Sequence, residues 1–351
     1  MSKKLTKQVM VGNVAIGGGA PIAIQSMTNT KTINIAATLQ QIHRLEAAGC
    51  EIIRISLPDE PSVKAFKQLK KEAQAPLVAD IHFRWELAVA AIKAGADKVR
   101  INPGNIKDKD GIKKIVATAG LHNIPLRIGV NAGSLSDIIR DSDLANAEKL
   151  VVSALESVAL IESMGFTDLV ISAKTFSVPE ALTVYRTLAA KLDYPLHIGI
   201  TESGTKKSGS LRSAVGLGIL LSESIGDTLR VSLSADPVEE VYVAQQILQI
   251  LELRRFHPEL VSCPTCARCD IDLIPIANEL EERLSASRAP LRVAVMGCVV
   301  NGPGEARQSD IGIAAGKGRG VLFKDGRIIK NVAEENFVDE LMKLVQKEKP
   351  E

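Results

Sequence analysis

The sequence predicts an α/β protein: a TIM (β/α)8 barrel over residues 1–255, then a smaller α/β domain over 256–351. Three observations lead there. Glycine-led and proline-led segments recur through the first two thirds of the 351-residue chain. Apolar residues make up 46% of the chain and aromatics only 3%, so Ile, Val, Leu and Ala must fill the core. Such residues suit strands buried on both faces, hence parallel strands covered by helices. After Phe256 the repeat stops and a cysteine cluster begins.

The first segment type runs Gly49-Cys50-Glu51-Ile52-Ile53-Arg54-Ile55-Ser56 and Gly95-Ala96-Asp97-Lys98-Val99-Arg100-Ile101-Asn102. It returns, with one residue gained or lost, at Gly165-Phe166-Thr167-Asp168-Leu169-Val170-Ile171-Ser172 and Gly226-Asp227-Thr228-Leu229-Arg230-Val231-Ser232. A glycine there can close a helix in the left-handed region. The β-branched run after it reads as a buried strand. The second type opens on proline, at Pro76, Pro125 and Pro195, where a first strand residue needs no ladder donor. A strand after Pro21, over 22–26, starts the series and brings the total to eight. Amphipathic stretches over 35–48, 86–94, 145–164 and 238–253 supply helices between strands. Alternating strands and helices mean a parallel sheet, and eight units in about 250 residues match a TIM barrel. A doubly wound open sheet is the alternative; the regular repeat favours closure. In the second domain the pattern gives a helix over 273–285, a strand over 291–296 and a final helix over about 334–348. A hairpin over 321–329 turns at Asp325-Gly326. Residues 1–10 read as a strand or tail.

Lys plus Arg number 43 and Asp plus Glu 41, a net charge of +2. No global basic field exists to hold nucleic acid, so any anion site must be built locally. No apolar run reaches the roughly 18 residues of a membrane span, and no cleavable leader is visible. The expectation is a cytoplasmic protein without a membrane or nucleic-acid partner.

Barrel active sites lie where strands end. Asp80, His82, Asn102, Asn131, Lys174, Thr201, Glu202, Ser232 and Ser234 fall there. Side chains alternate along a strand, so Arg54 shares a face with Ser56, and Arg100 with Asn102. Arg127 occupies the middle of the fifth strand. Arginines inside a barrel need partners, and few acids are available. The excess suggests a phosphorylated ligand gripped by guanidinium forks, against the plainer reading of a structural ion-pair layer. Glu202 reads equally as a general acid/base or as a salt-bridge partner. His82 reads as a catalyst or as a hydrogen-bond partner of Asp80. Cys50, at a helix–strand junction on the opposite face, reads as an inert buried thiol.

Cys263-Pro264-Thr265-Cys266-Ala267-Arg268-Cys269 is a C-x2-C-x2-C run, and Cys298 follows in a Gly- and Pro-rich loop ending at Glu305. Thiolates at this spacing grip a soft metal centre. Without a second pair or nearby histidines beyond His257, iron–sulfur is favoured over zinc. The fourth ligand is open between Cys269 and Glu305. A carboxylate, the poorer ligand, would leave one iron accessible to substrate.

Several motifs together resemble one family. They are Ser262-Cys263-Pro264-Thr265-Cys266, Met296-Gly297-Cys298-Val299-Val300-Asn301-Gly302-Pro303-Gly304-Glu305, Arg127-Ile128-Gly129-Val130-Asn131-Ala132-Gly133-Ser134, Val99-Arg100-Ile101-Asn102-Pro103-Gly104-Asn105 and Ala214-Val215-Gly216-Leu217-Gly218. Over essentially its whole length the chain resembles the 4-hydroxy-3-methylbut-2-en-1-yl diphosphate synthases of isoprenoid biosynthesis, in their compact bacterial form. The resemblance implies a barrel joined to a [4Fe-4S] domain. It implies reductive ring opening of 2-C-methyl-D-erythritol 2,4-cyclodiphosphate, reduced ferredoxin or flavodoxin as donor, and a homodimer. Its cluster ligands fall on Cys263, Cys266, Cys298 and Glu305. Its diphosphate-binding positions fall on Arg54, Arg100, Arg127, Asn131, Lys174, Ser232 and Ser234. Asp80, His82 and Glu202 fall near the substrate carbons, with Glu202 the implied acid/base, and Asn301 adjoins the cluster. Cys269 departs from the family pattern and reads as a spectator thiol. The rival is a barrel transferase of the pterin-binding kind with a structural metal.

Overall fold

The computed structural model describes residues 5–106, 108–298 and 309–348. The chain forms two compact units, Met1–Arg254 and Arg255–Glu351.

In the first unit, β1 (Val9–Val11) and β2 (Val14–Ile16) form an antiparallel hairpin. Eight parallel strands follow: β3 (Ala23–Met27), β4 (Ile52–Ser56), β5 (Leu77–Asp80), β6 (Lys98–Ile101), β7 (Leu126–Asn131), β8 (Leu169–Lys174), β9 (His197–Ile198) and β10 (Thr228–Leu229). Their spatial order is β8-β7-β6-β5-β4-β3-β10-β9. The ring closes through a parallel bridge between Ile171 and Leu196, with the Ile171 N–H donating to the Pro195 carbonyl at 2.9 Å. This is the TIM barrel that the repeat predicts.

The outer ring contains α1 (Ile35–Ala47), α2 (Glu60–Glu72), α3 (Trp85–Lys93), α4 (Lys109–His122), the short α5 (Asp137–Arg140), α6 (Asn146–Glu162), α7 (Val178–Lys191), α8 (Lys206–Ser222) and α9 (Pro237–Ile250). Local chemistry sets their starts. Asp59, Asp108, Ser177 and Asp236 each accept a backbone N–H of the first turn, satisfying a donor the helix leaves over. The repeat's glycines end the helices as expected: Gly95 has φ 96° and Gly165 φ 78°. The β1–β2 hairpin closes the barrel at the strand beginnings, where Val11 and Ile16 pack on Ala23, Ile52 and Val78. Of residues 1–10, read from sequence as a strand or tail, Val9 and Met10 belong to the first strand of this plug. Cys50 is buried near this end, its Sγ 3.2 Å from the Ile52 carbonyl. Burial pushes its thiol up to about 12, which fits an inert role.

The second unit is a mixed sheet of β11 (Glu259–Ser262), β12 (Arg292–Met296), β13 (Ile311–Gly316), β14 (Arg319–Lys324) and β15 (Arg327–Ala333), in that order. The first three run parallel and the last two antiparallel. Among the described residues, two helices, α10 (Leu273–Ser285) and α11 (Phe337–Val345), cover its core of Leu280, Val293, Ile313, Phe337 and Leu341. The expected hairpin is present and longer than read. Asp325 (φ 49°) and Gly326 (φ 72°) both take the left-handed turn that matches strand twist.

Candidate functional site

Strand alternation brings the predicted cations into the barrel lumen. β4 and β5 pair Ser56 with Asp80, β5 and β6 pair Asp80 with Arg100, and β6 and β7 pair Arg100 with Arg127. Asp80 is the hub. Its carboxylate lies 3.2 Å from Arg100 Nη1, 3.6 Å from Arg54 Nε and 3.7 Å from His82 Nε2. Burial alone would raise the Asp80 carboxyl; Arg54, Arg100, His82 and Arg127 outweigh it and hold it at about 2. Asp80 is therefore an anion that orders guanidiniums and cannot serve as a proton donor near neutral pH.

The long cations lie across glycines. A side chain at Gly129 would place its Cβ 2.3 Å from Arg100 Nε, and one at Gly199 would lie 2.6 Å from Lys174 Nζ. Arg100 Nη2 also donates to the Gly129 carbonyl at 2.8 Å. Lys174 Nζ lies 3.2 Å from His197 Nε2, whose ring approaches Thr228 Oγ1 at 3.4 Å through Nδ1. Burial, then Lys174, Arg127, Lys98 and Arg54, keep His197 well below its usual value, so the ring is neutral. Arg230 forks onto Glu240 of α9 at 2.9 and 3.0 Å; beyond it Ser232 is partly buried and Ser234 exposed.

A cavity of about 420 Å³ opens above this layer, lined by His82, Arg100, Asn131, Thr201 and Glu202 among others. It has the size of a small-molecule site. Glu202 is exposed, and its backbone stands at φ 53°, in the left-handed region. A larger groove, about 630 Å³, lies at the other end of the barrel beside Leu192, Tyr194 and Asp227. Its lining has no comparable cluster of cations, so charge singles out the smaller cavity for an anion.

The structure therefore gathers Arg54, Asp80, Arg100, Arg127 and Lys174 in the barrel lumen, Arg54 largely and the others almost wholly buried, with His82, Asn131 and Glu202 lining the cavity. Three residues escaped sequence reasoning. Lys98, fully buried on β6, is a further lumen cation; its place two residues before Arg100 was the available signal. His197 likewise stands two residues before Gly199. Glu240 comes from a helix and was hidden as an ordinary acidic residue of a first turn.

In the second unit, β11 and β12 run parallel with Ser262 opposite Val295, so Cys263 and Gly297-Cys298 leave the sheet at one end. The Gly297 N–H donates to Cys263 Sγ at 3.3 Å. A Cβ at Gly297 would come within 2.4 Å of Cys269 Sγ, so both sulfurs flank the residue before Cys298. Cys298 is buried, Cys263 partly so, and Cys266 exposed. Hydrogen bonding from Arg268 lowers the Cys266 thiol toward its metal-binding thiolate form. Soft sulfur donors from neighbouring strand ends fit an iron–sulfur cluster. Among the described residues no three His, Cys, Asp or Glu side chains converge as around a single ion. Asn301 and Glu305 lie outside the described residues.

Two family models match the chain: the GcpE TIM-barrel domain over residues 6–245 and the GcpE protein C-terminal domain over 259–347. The 4-hydroxy-3-methylbut-2-en-1-yl diphosphate synthase (flavodoxin) of Caldanaerobacter subterraneus subsp. tengcongensis is 53% identical over 346 residues, 98% of each chain. The enzyme of that name from Geobacter sulfurreducens is 51% identical over 346 residues, again 98% of each. Among solved structures, dihydropteroate synthase of Yersinia pestis has a TM-score of 0.52 at 15% identity, covering 70% of this chain and 99% of its own. That of Stenotrophomonas maltophilia has a TM-score of 0.53 at 16% identity, covering 70% and 98%. These structural likenesses show the barrel and nothing of its chemistry, and so lend the rival transferase no support.

Proposed function

The chain belongs to the GcpE family, the 4-hydroxy-3-methylbut-2-en-1-yl diphosphate synthases, and from that premise we propose that it opens the ring of 2-C-methyl-D-erythritol 2,4-cyclodiphosphate reductively. Two electrons and a proton enter, a ring carbon–oxygen bond breaks, a hydroxyl leaves as water, and the linear allylic diphosphate results. The observation that carries this reading is the lumen itself. Arg54, Lys98, Arg100, Arg127 and Lys174 are gathered inside the barrel, while the Asp80 carboxylate serves Arg54 and Arg100. Basic side chains buried in such excess over acids call for an anionic ligand.

Each residue has a task. Arg54, Arg100, Arg127 and Lys174, with Asn131, Ser232 and Ser234, bind the diphosphate and stabilise the charge that gathers on it as the carbon–oxygen bond opens. Asp80 orients Arg54 and Arg100 from below and His82 from the side. Glu202, at the cavity mouth, holds or delivers the proton that accompanies loss of water. The thiolates of Cys263, Cys266 and Cys298, with Glu305, would hold a [4Fe-4S] cluster. When bound, the cluster supplies the electrons, which no side chain can carry. Cys269 remains a spectator thiol beside them. The reading extends to a soluble electron donor, flavodoxin or ferredoxin, and to a cytoplasmic homodimer.

The test is anaerobic purification, iron and sulfide analysis, then incubation with the cyclodiphosphate and reduced flavodoxin. The expected result is a coloured protein with about four irons per chain that forms the linear diphosphate. A fully loaded protein without reductant-dependent turnover would overturn the reading.

A further inference from the structure

The barrel carries one more cation than the diphosphate reading uses. Lys98 lies on β6 two residues before Arg100, so its side chain enters the lumen one layer deeper. It is fully buried, and its Nζ has no hydrogen-bond partner. It has company: seven buried side-chain atoms lack a partner among the described residues, and six belong to Gln25, Lys98, Arg100 and Arg127 of the inner strands.

The groups facing Lys98 decide its charge. Arg127 on β7 and Arg54 on β4 repel its ammonium. His197 on β9 is neutral and shares its approach with Lys174 of β8. The carboxylate of Asp80 on β5 is already held by Arg54 and Arg100. Glu240, behind β10, is already forked onto Arg230. Among the described residues, both of these carboxylates are thus engaged elsewhere, and the charges that act on Lys98 are the repelling ones of Arg127 and Arg54. An unpaired buried ammonium costs several kcal/mol, and neutralisation avoids that cost. A diphosphate above Arg100 would reverse the balance, because it brings two negative charges to a layer of like charges.

We propose that Lys98 is uncharged in the free barrel and takes up a proton when the cyclodiphosphate occupies the cavity above it, so that binding and proton uptake are one event. This rests on the diphosphate reading of the cavity. Each phosphorus of the cyclic ligand keeps one strongly acidic oxygen, so the ligand itself does not titrate near neutral pH. Uptake of one proton makes the affinity fall by up to about tenfold per pH unit as pH rises.

The experiment is calorimetric titration of the cluster-loaded protein with 2-C-methyl-D-erythritol 2,4-cyclodiphosphate, anaerobically and without reductant. It is run in two buffers of different protonation enthalpy. The difference between the two heats gives the protons taken up. Wild-type protein should take up close to one proton. Lys98→Met, and Lys98→Gln as a second variant, should still bind while taking up close to none. Binding by the wild type without uptake, or unchanged uptake by both variants, would overturn the proposal; the latter would place the proton on Lys174, His197 or His82. Loss of fold in both variants, seen by circular dichroism, would also overturn it, because an uncharged and unpartnered lysine has no such structural role. No binding by wild-type protein would overturn the diphosphate reading itself, and the inference with it.

Discussion

Glu202 is held at φ 53°, between the buried Ser203 and the cavity mouth. A residue with a side chain pays about 1 kcal/mol or more to stand in the left-handed region, and such strain gathers at functional sites. Function and stability should therefore separate here. Glu202→Gly should leave the melting temperature unchanged or slightly higher, yet lower kcat by about 100-fold or more, the usual share of a general acid. A variant that keeps wild-type kcat would remove Glu202 from the chemistry. Asp80 should behave in the opposite way. Its folded carboxyl sits at about 2, below its ordinary 3.8. Its contribution is complete above that ordinary value and is lost as pH falls from about 4 to 2. Asp80→Asn strands Arg54 and Arg100, at a cost of about 3 kcal/mol at neutral pH. In denaturant titrations the gap between wild type and variant should be wide at pH 7 and narrow toward pH 3. Alternation along strands made Arg54, Arg100, Arg127 and Lys174 legible as one group. The same rule reaches Lys98, which stands on the Arg100 face two residues earlier on β6, at the start of the strand and away from the strand ends where a barrel site is expected. Glu240 was illegible because its partner, Arg230, meets it only across a strand–helix packing.

Among elements, the β1–β2 hairpin shows how a short signal is lost. Each strand has three residues, too few for a two-residue period to stand out. The Gly12-Asn13 turn between Val11 and Val14 was the readable cue. Asp325-Gly326 was read correctly because longer strands flank it. The plug is held by burial: Val11 and Ile16 are both fully enclosed. Ile16→Ala should destabilise the protein by about 3 kcal/mol, the typical cost of a buried cavity. KM should stay unchanged, since the hairpin closes the end of the barrel opposite the cation layer. A melting curve and steady-state kinetics on the same preparation check both. A parallel rise in KM would mean that the hairpin supports the lumen geometry as well.

At the scale of the molecule, an overall charge of +2 conceals a strongly positive lumen, because the other charges are spread over the rest of the chain. The two units also differ in what holds them together. A minimal metal-dependent fold collapses when its metal is removed, because ligand binding supplies its folding energy. The second unit has a core of its own, with Leu280, Val293, Ile313, Phe337 and Leu341 almost wholly buried between sheet and helices. Its cysteines stand at strand ends and in a loop at the margin of that core. Removing the proposed cluster by chelation under oxidising conditions should therefore loosen only this end. Hydrogen exchange should quicken at 263–269 and at Gly297 and Cys298. It should stay slow in β13 and β14 and in the barrel strands. Exchange that spread through the whole sheet would mean that the cluster, and not the apolar core, holds the unit together.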